Sequence, residues 1–154
     1  MNRLFCSLLA LLFTFALLPQ GASARDDRSV DAAMRGFFEA MINKDSNAVL
    51  SFFPQKSNFT LIPYVIGSNT PESITAISYG KLKDDFSNKK GLYVFFFENP
   101  NVWTYNVEFR RGEMWQKRPG NIFVAPQSSM GHTYIKWKQE GDRWVIDEIA
   151  YVHP

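Results

Sequence analysis

Cysteine is almost missing from this chain. The single one, Cys6, lies in an N-terminal leader that we expect to be removed. A disulfide, a thiolate nucleophile and a cysteine metal site are therefore excluded from residues 25–154. That stretch is long enough to bury a sufficient core by packing alone, so we expect it to form a single domain.

An excess of charge of one sign is missing too. With Arg3 set aside in the leader, 16 Lys and Arg residues face 15 Asp and Glu residues. A near-neutral chain offers no general attraction to phosphate polymers, so nucleic acid is not expected as a partner. The densest basic stretch, residues 110–118, contains Glu113 and a predicted turn, which favours a solvated hairpin end.

No apolar run reaches the length of about 20 residues that spans a bilayer. Instead, Arg3, the apolar run Leu8–Leu18 and the small residues Ala22-Ser23-Ala24 form the three parts of a secretory signal. We therefore expect residues 1–24 to be a signal peptide, with no stable membrane span after cleavage. Secretion is expected, and a cysteine-free domain of this size favours a bacterial periplasm.

Common catalytic and metal-binding motifs are absent from the sequence. It has no nucleophile elbow, no phosphate loop and no Cys-His couple. His132 and His153 lie in a loop and at the penultimate position, and neither has a second ligand at metal spacing. We expect no metal and no cofactor.

Two amphipathic helices are predicted near the N-terminus. Ser29 and Asp45 are the predicted N-caps, and Pro54 ends the second helix. The apolar residues of the first helix recur at the spacing of one helical face. They are Val30, Met34, Phe37, Phe38 and Met41.

The middle of the chain is less clearly patterned. Residues 58–66 read as a strand, which Pro63 restricts to an edge or a bulge. Residues 70–79 are ambiguous, and residues 81–88 read as a helix. The unbroken apolar run at residues 92–97 fits a central strand or a short buried helix, and periodicity does not decide between them.

The last third of the chain is rich in strand patterns. Residues 103–110 alternate between apolar and polar, and shorter strands are predicted at residues 114–117 and 121–125. Residues 133–151 form two strand-like runs joined across Glu140-Gly141-Asp142, which predicts a hairpin. Together these patterns predict an α+β fold in which N-terminal helices pack on a curved antiparallel sheet.

In the final strand, both faces are largely apolar. Strict alternation places Ile146 and Glu148 on one face and Asp147 and Ile149 on the other. Trp144 and Ala150 then join the first face, and Val145 and Tyr151 the second. Because an exposed sheet back is not apolar, we expect a second layer or a partner subunit to cover the outer face, and we hypothesise a homodimer.

Two segments carry a resemblance to a known family. FFEAMINKDSNAVLSFF at residues 37–53 and YIKWKQEGDRWVIDEIA at residues 134–150 resemble the nuclear transport factor 2-like superfamily, whose fold is shared with ketosteroid isomerase. The resemblance implies a cone-shaped α+β fold, a pocket at its wide end and frequent dimerisation. In ketosteroid isomerase the base follows the second helix. Residues 55–66 of this chain contain no Asp or Glu, which argues against that mechanism.

The candidate pocket residues are two acids and four aromatic residues. Asp147 or Glu148 could act as a general base if held among apolar side chains. The alternative is an ion pair with Lys136, Lys138 or Arg143 across the hairpin. The aromatic candidates, for which core packing is the alternative, are Tyr64, Tyr105, Trp115 and Trp137.

The absence of a recognisable catalytic set favours a non-catalytic function. We expect a secreted or periplasmic domain that binds a small apolar ligand or serves as an accessory or scaffold to a partner protein. The alternative is an isomerase-like or lyase-like enzyme that uses a buried carboxylate and a tyrosine.

Overall fold

The computed structural model describes residues 29–98, 115–125 and 132–153. Its helices are α1 (Val30–Ile42), α2 (Ser46–Ser51), α3 (Tyr79–Ser87) and α4 (Leu92–Phe97). Its strands are β1 (Phe59–Val65), β2 (Thr75–Ile77), β3 (Gln116–Arg118), β4 (Ile122–Val124), β5 (Tyr134–Glu140) and β6 (Arg143–His153). The fold class is α+β, as the sequence predicts. The predicted signal peptide at residues 1–24 and the predicted strand at residues 103–110 lie outside the described residues.

Side-chain caps set the starts of α1 and α2. The Oγ of Ser29 accepts a hydrogen bond from the Ala32 N–H at 3.1 Å, and the Oδ1 of Asp45 accepts one from the Ala48 N–H at 3.0 Å. Each cap satisfies a backbone donor that has no partner within its helix. Both predicted helices are confirmed. No helix in the described part of the chain is both long and apolar enough to cross a bilayer.

Residues 92–97 form a short buried helix, which decides between the two structures that the sequence left open. Asp85 of α3 explains why this segment is helical. Asp85 is only 1% exposed, and its carboxylate accepts a hydrogen bond from the Leu92 N–H at 3.1 Å. Gly91 brings the chain close to this carboxylate with φ at +48°, and a Cβ at that position would lie 2.6 Å from the Asp85 Oδ2. Asp85 therefore caps α4 from the preceding helix.

The six strands form one mixed sheet in the order β2-β1-β6-β5-β4-β3. β1 runs parallel to β6, and the other neighbouring strands are antiparallel. The prediction of an antiparallel sheet is therefore wrong at β1. Only strands joined by a short turn must be antiparallel, whereas residues 66–142, half of the chain, separate β1 from β6 and leave their direction free.

Pro63 lies in an interior strand, yet it does not interrupt a ladder. β2 pairs only with residues 59–61 of β1, so Pro63 lies beyond the end of β2. Its carbonyl accepts a hydrogen bond from the Glu72 N–H at 2.9 Å on that side. A residue's N–H and C=O point to the same side of a strand. The missing N–H would therefore face a stretch where the β1–β2 ladder has already ended.

The helices pack on one face of the sheet, which we call the inner face. Phe37 of α1 lies among four rings, those of Phe52, Phe53, Phe96 and Trp137, at centroid distances from 5.8 to 6.4 Å. These contacts join three helical segments to β5. Edge-to-face packing of this kind stabilises a core that has no disulfide.

Candidate functional site

A β-bulge interrupts the pairing of β6 with β5. Trp137 lies opposite Ile146 and Lys136 lies opposite Glu148, so Asp147 is an extra residue in β6. Beside the bulge, the Ile146 N–H donates a hydrogen bond at 2.8 Å to the carbonyl of Phe52, the C-cap residue of α2. A bulge reverses the alternation of side chains beyond it. Every residue of β6 after Asp147 therefore lies on the face opposite to the one that strict alternation predicts.

The burial pattern follows this reversal. Ile146 and Ile149 belong to the core under the helices, although strict alternation placed them on opposite faces. Val145 and Ala150 are buried at 0% and 1% exposure, yet neither belongs to that core. They face the other side of the sheet, which we call the outer face.

Asp147 and Glu148 lie on the same face, so the prediction that they point to opposite faces is wrong. The Lys138 Nζ lies 2.9 Å from Asp147. The Lys136 Nζ lies 3.4 Å from Asp147 and 3.8 Å from Glu148. Lys138 lies opposite the outer-face residue Val145, and Lys136 lies opposite Glu148, which alternates with the outer-face residue Ala150. Both acids therefore lie on the outer face. The ion-pair interpretation is the one that the structure supports.

The surroundings of Asp147 keep it ionised. Burial alone would raise its pKa, but hydrogen bonds and charges from Lys138 and Lys136 outweigh burial and hold the pKa below its usual value. A carboxylate with a lowered pKa is a weak base at neutral pH. Asp147 is therefore poorly suited to abstract a proton.

Nine side chains of the three central strands form three rows on the outer face, and we call this set the outer-face grid. The first two rows follow from the strand register, and His132 completes the third row by contact with Tyr64. Each row runs from β1 through β6 to β5 or, in the third row, to His132, two residues before β5. The rows are Thr60, Glu148 and Lys136; Ile62, Ala150 and Tyr134; and Tyr64, Val152 and His132.

One end of the grid is an aromatic stack. The rings of Tyr64 and His132 are nearly parallel, at 13°, with centroids 4.4 Å apart. Tyr64 comes from β1 and His132 from the segment that enters β5, so the two rings meet across β6. Both residues are partly exposed. The stack forms a flat, partly accessible aromatic surface.

The other end of the grid is polar. The hydroxyl of Tyr134 donates a hydrogen bond to the carboxylate of Glu148. Burial raises the pKa of Tyr134. The pKa is raised further by the hydrogen bond to Glu148, by the charge of that carboxylate and by the electrostatic effect of Tyr64. Tyr134 therefore stays protonated at physiological pH and acts as a donor. Glu148 is thus held between a phenol and the Lys136 ammonium.

The floor of the grid is apolar and already covered within one chain. Ile62 is 8% exposed and Ala150, at the centre, is 1% exposed, although neither belongs to the core under the helices. The predicted homodimer rested on an outer face that needed a second subunit to cover it. These apolar residues are buried without a second subunit, so their burial does not require a homodimer. The homodimer stays a prediction.

The remaining sequence candidates do not join the grid. Trp137 is buried on the inner face, and its indole N–H has no hydrogen-bond partner among the residues that the structure describes. Trp115 is buried against Phe38 at a centroid distance of 5.3 Å. Both tryptophans therefore serve the core. Tyr105 lies outside the described residues.

Of the six predicted site residues, the grid contains Tyr64 and Glu148, with Asp147 beside them. Sequence reasoning missed Tyr134 and His132 as site residues. Tyr134 could have been found from its alternation with Lys136 and Lys138, which places all three on one face of β5. The side of Glu148 could not, because it depends on the bulge.

The described residues hold no group of three His, Cys, Asp or Glu side chains placed to bind a metal ion. Comparison of the chain with known protein families, with curated proteins and with solved structures found no match. Any function of the outer-face grid must therefore be inferred from its own contacts.

Proposed function

We propose that the protein is a secreted, non-catalytic domain that binds a small ligand on the outer-face grid. The observation that carries this proposal is the combination of the Tyr64–His132 stack with the Tyr134–Glu148 hydrogen bond on one sheet face. An aromatic surface beside a few fixed polar groups is the usual composition of a small-ligand site. The proposal places that site outside the helix-covered core.

The proposed function is non-catalytic because the two candidate acids, Asp147 and Glu148, are already engaged by neighbouring side chains. Asp147 is held ionised by two lysines, and Glu148 accepts a hydrogen bond from Tyr134. A general base needs a pKa near the working pH and an open path to its proton. Asp147, whose pKa its lysine partners lower, meets the first condition poorly.

The ligand proposed here is less apolar than the sequence alone suggested. The apolar floor of the grid is already covered within the chain, and the groups left partly open to a ligand include Glu148 and Lys136, with Asp147 adjacent. A wholly apolar ligand over these groups would remove them from water without giving them hydrogen bonds. A ligand with both an apolar face and polar substituents fits better.

Membership of the nuclear transport factor 2-like superfamily and export to a periplasm remain part of the proposal. The family is supported by two capped N-terminal helices and a closing hairpin in one α+β domain. Export is supported by the signal pattern of residues 1–24. Cleavage before Arg25, read by mass spectrometry of the protein recovered after secretion, tests the export proposal directly.

A thermal-shift screen with a library of small ring compounds tests ligand binding. A compound that binds the folded state raises the unfolding midpoint in a concentration-dependent way. The stabilisation should disappear in Tyr64→Ala and persist in Lys117→Ala. Lys117 is a matched surface control, because it pairs with Asp31 at 2.6 Å on a different part of the molecule. Stabilisation that persists in Tyr64→Ala would contradict the proposed site.

One observation favours the enzyme alternative. Tyr134 and Glu148 form a hydrogen-bonded tyrosine–carboxylate pair, which is the pair that an isomerase or a lyase of the expected kind would need. If this alternative holds, a substrate found by activity screening is turned over, and Glu148→Gln abolishes turnover without unfolding the protein. Turnover that survives Glu148→Gln would exclude Glu148 as the base.

A further inference from the structure

We infer that the ligand of the outer-face grid is a neutral carbohydrate, with one sugar ring on the Tyr64–His132 stack and hydroxyls of a neighbouring ring directed to Glu148 and Lys136. The inference rests on the proposed function and names its ligand class. It follows from three features of the grid, which are the aromatic surface, the paired charges and the dimensions of the patch.

The aromatic surface suits a sugar ring. Tyr64 and His132 stack on each other at 4.4 Å, so together they present a flat edge and an outer ring face rather than a deep slot. A pyranose has one face of C–H groups that packs on an aromatic ring, while its hydroxyls project sideways. Aromatic side chains that combine an apolar body with a polar tip serve such amphipathic ligands.

The polar end of the grid offers both kinds of hydrogen-bonding group. Glu148 is an acceptor, Lys136 is a donor, and the Tyr134 hydroxyl, whose proton goes to Glu148, can still accept. A sugar hydroxyl donates and accepts at once, so it can bind between the carboxylate and the ammonium without leaving either unsatisfied. Hydrogen bonds to charged groups are stronger than those between neutral groups.

The charges argue against an ionic ligand. Lys136 and Lys138 face Asp147 and Glu148, so the patch carries two positive and two negative groups in contact. It offers no excess charge that would attract a phosphate or a carboxylate ligand. A neutral ligand with many hydroxyls is the class that matches balanced charges.

The size of the grid also favours a small ligand over a protein. Three strands and three rows span about 10 Å by about 14 Å. One or two sugar rings cover this area, whereas a stable protein interface needs about 800 Å² on each partner. A protein partner would have to use surfaces far beyond the aromatic and polar groups that distinguish this face.

Isothermal titration calorimetry of the secreted protein with cellohexaose, maltohexaose and chitohexaose tests the inference. At least one of them should bind with a dissociation constant of about 10 mM or tighter. Tyr64→Ala should weaken that binding by about tenfold or more. Lys117→Ala should bind like the wild type. His132→Ala, which removes the other ring of the stack, should weaken the binding as Tyr64→Ala does, and it keeps the test decisive if Tyr64→Ala does not fold.

Three outcomes would overturn the carbohydrate inference. The first is no heat of binding with any of the three oligosaccharides. The second is binding that Tyr64→Ala leaves unchanged. The third is binding of the anionic aromatic dye anilinonaphthalene sulfonate, lost in Tyr64→Ala, without sugar binding. This last result would leave the grid as a small-ligand site, so it separates failure of the inference from failure of the proposed function.

Discussion

Tyr134 on β5 donates a hydrogen bond to Glu148 on β6, and the two side chains meet only because Asp147 bulges out of the strand. Without the bulge, strict alternation from Val145 would leave only Asp147 on the outer face and would turn Glu148 toward the helices. The polar end of the outer-face grid therefore depends on one extra residue in the last strand. Both the electrostatics of the site and its accessibility follow from that residue.

Tyr134→Phe should lower the free energy of unfolding by about 1 kcal/mol, because it removes a partly buried hydrogen bond to a charged group. Urea unfolding at neutral pH measures this change. Tyr93→Phe is the matched control, since the Tyr93 side chain makes only ring contacts among the described residues. A loss that is equal in the two variants would show that the Tyr134–Glu148 bond adds no stability.

The Tyr64–His132 stack should contribute coupling energy of its own. A double-mutant cycle of Tyr64→Ala and His132→Ala isolates that energy from the effect of each single change. We expect about 0.5 to 1 kcal/mol, the range of stacked aromatic pairs. Additive losses would show that the rings are neighbours without an energetic contact, which would weaken the aromatic end of the grid.

Asp85→Ala should destabilise the protein by about 3 kcal/mol, because it leaves the buried Leu92 N–H without an acceptor and removes the partner of Lys81. Asp84→Ala is the matched control. Its side chain is 56% exposed and pairs with Lys90 at 3.0 Å, and surface pairs of this kind contribute less than about 1 kcal/mol. Similar losses in both variants would contradict the capping role of Asp85.

Acid should unfold the protein partly through Asp85. Burial alone would raise the pKa of Asp85, but hydrogen bonds from Lys81 and the Leu92 N–H outweigh it and lower the pKa. The resulting stabilisation is fully present above the unfolded value of 3.8 and is lost as the pH falls through the lower folded pKa. Urea unfolding between pH 7 and about pH 3 should show a shallower decline for Asp85→Asn than for the wild type. An identical decline would rule out this contribution.

The elements that could be predicted from the sequence are those with local signals. Ser29 and Asp45 cap their helices within three residues, and Gly141 provides the positive φ at the turn of the closing hairpin. These features need no knowledge of distant parts of the chain. The fold class, the first two helices and the hairpin follow from them.

The elements that could not be predicted depend on contacts between distant segments. The bulge lies beside the hydrogen bond from the Ile146 N–H to the Phe52 carbonyl, and α4 begins where Asp85 accepts from Leu92. The parallel pairing of β1 with β6 also joins distant residues. Alternation within β6 alone therefore placed Asp147 and Glu148 on opposite faces.

The most direct test of the central claim is nuclear magnetic resonance mapping of the bound ligand. The ¹⁵N-labelled protein is titrated with the compound that stabilises it most in the thermal-shift screen. Amide shifts concentrated on β1, β5 and β6 around Tyr64, Tyr134 and Glu148 are the predicted result. Shifts concentrated on α1, α2 and the inner face, with the outer-face grid unchanged, would contradict the assignment of the ligand site.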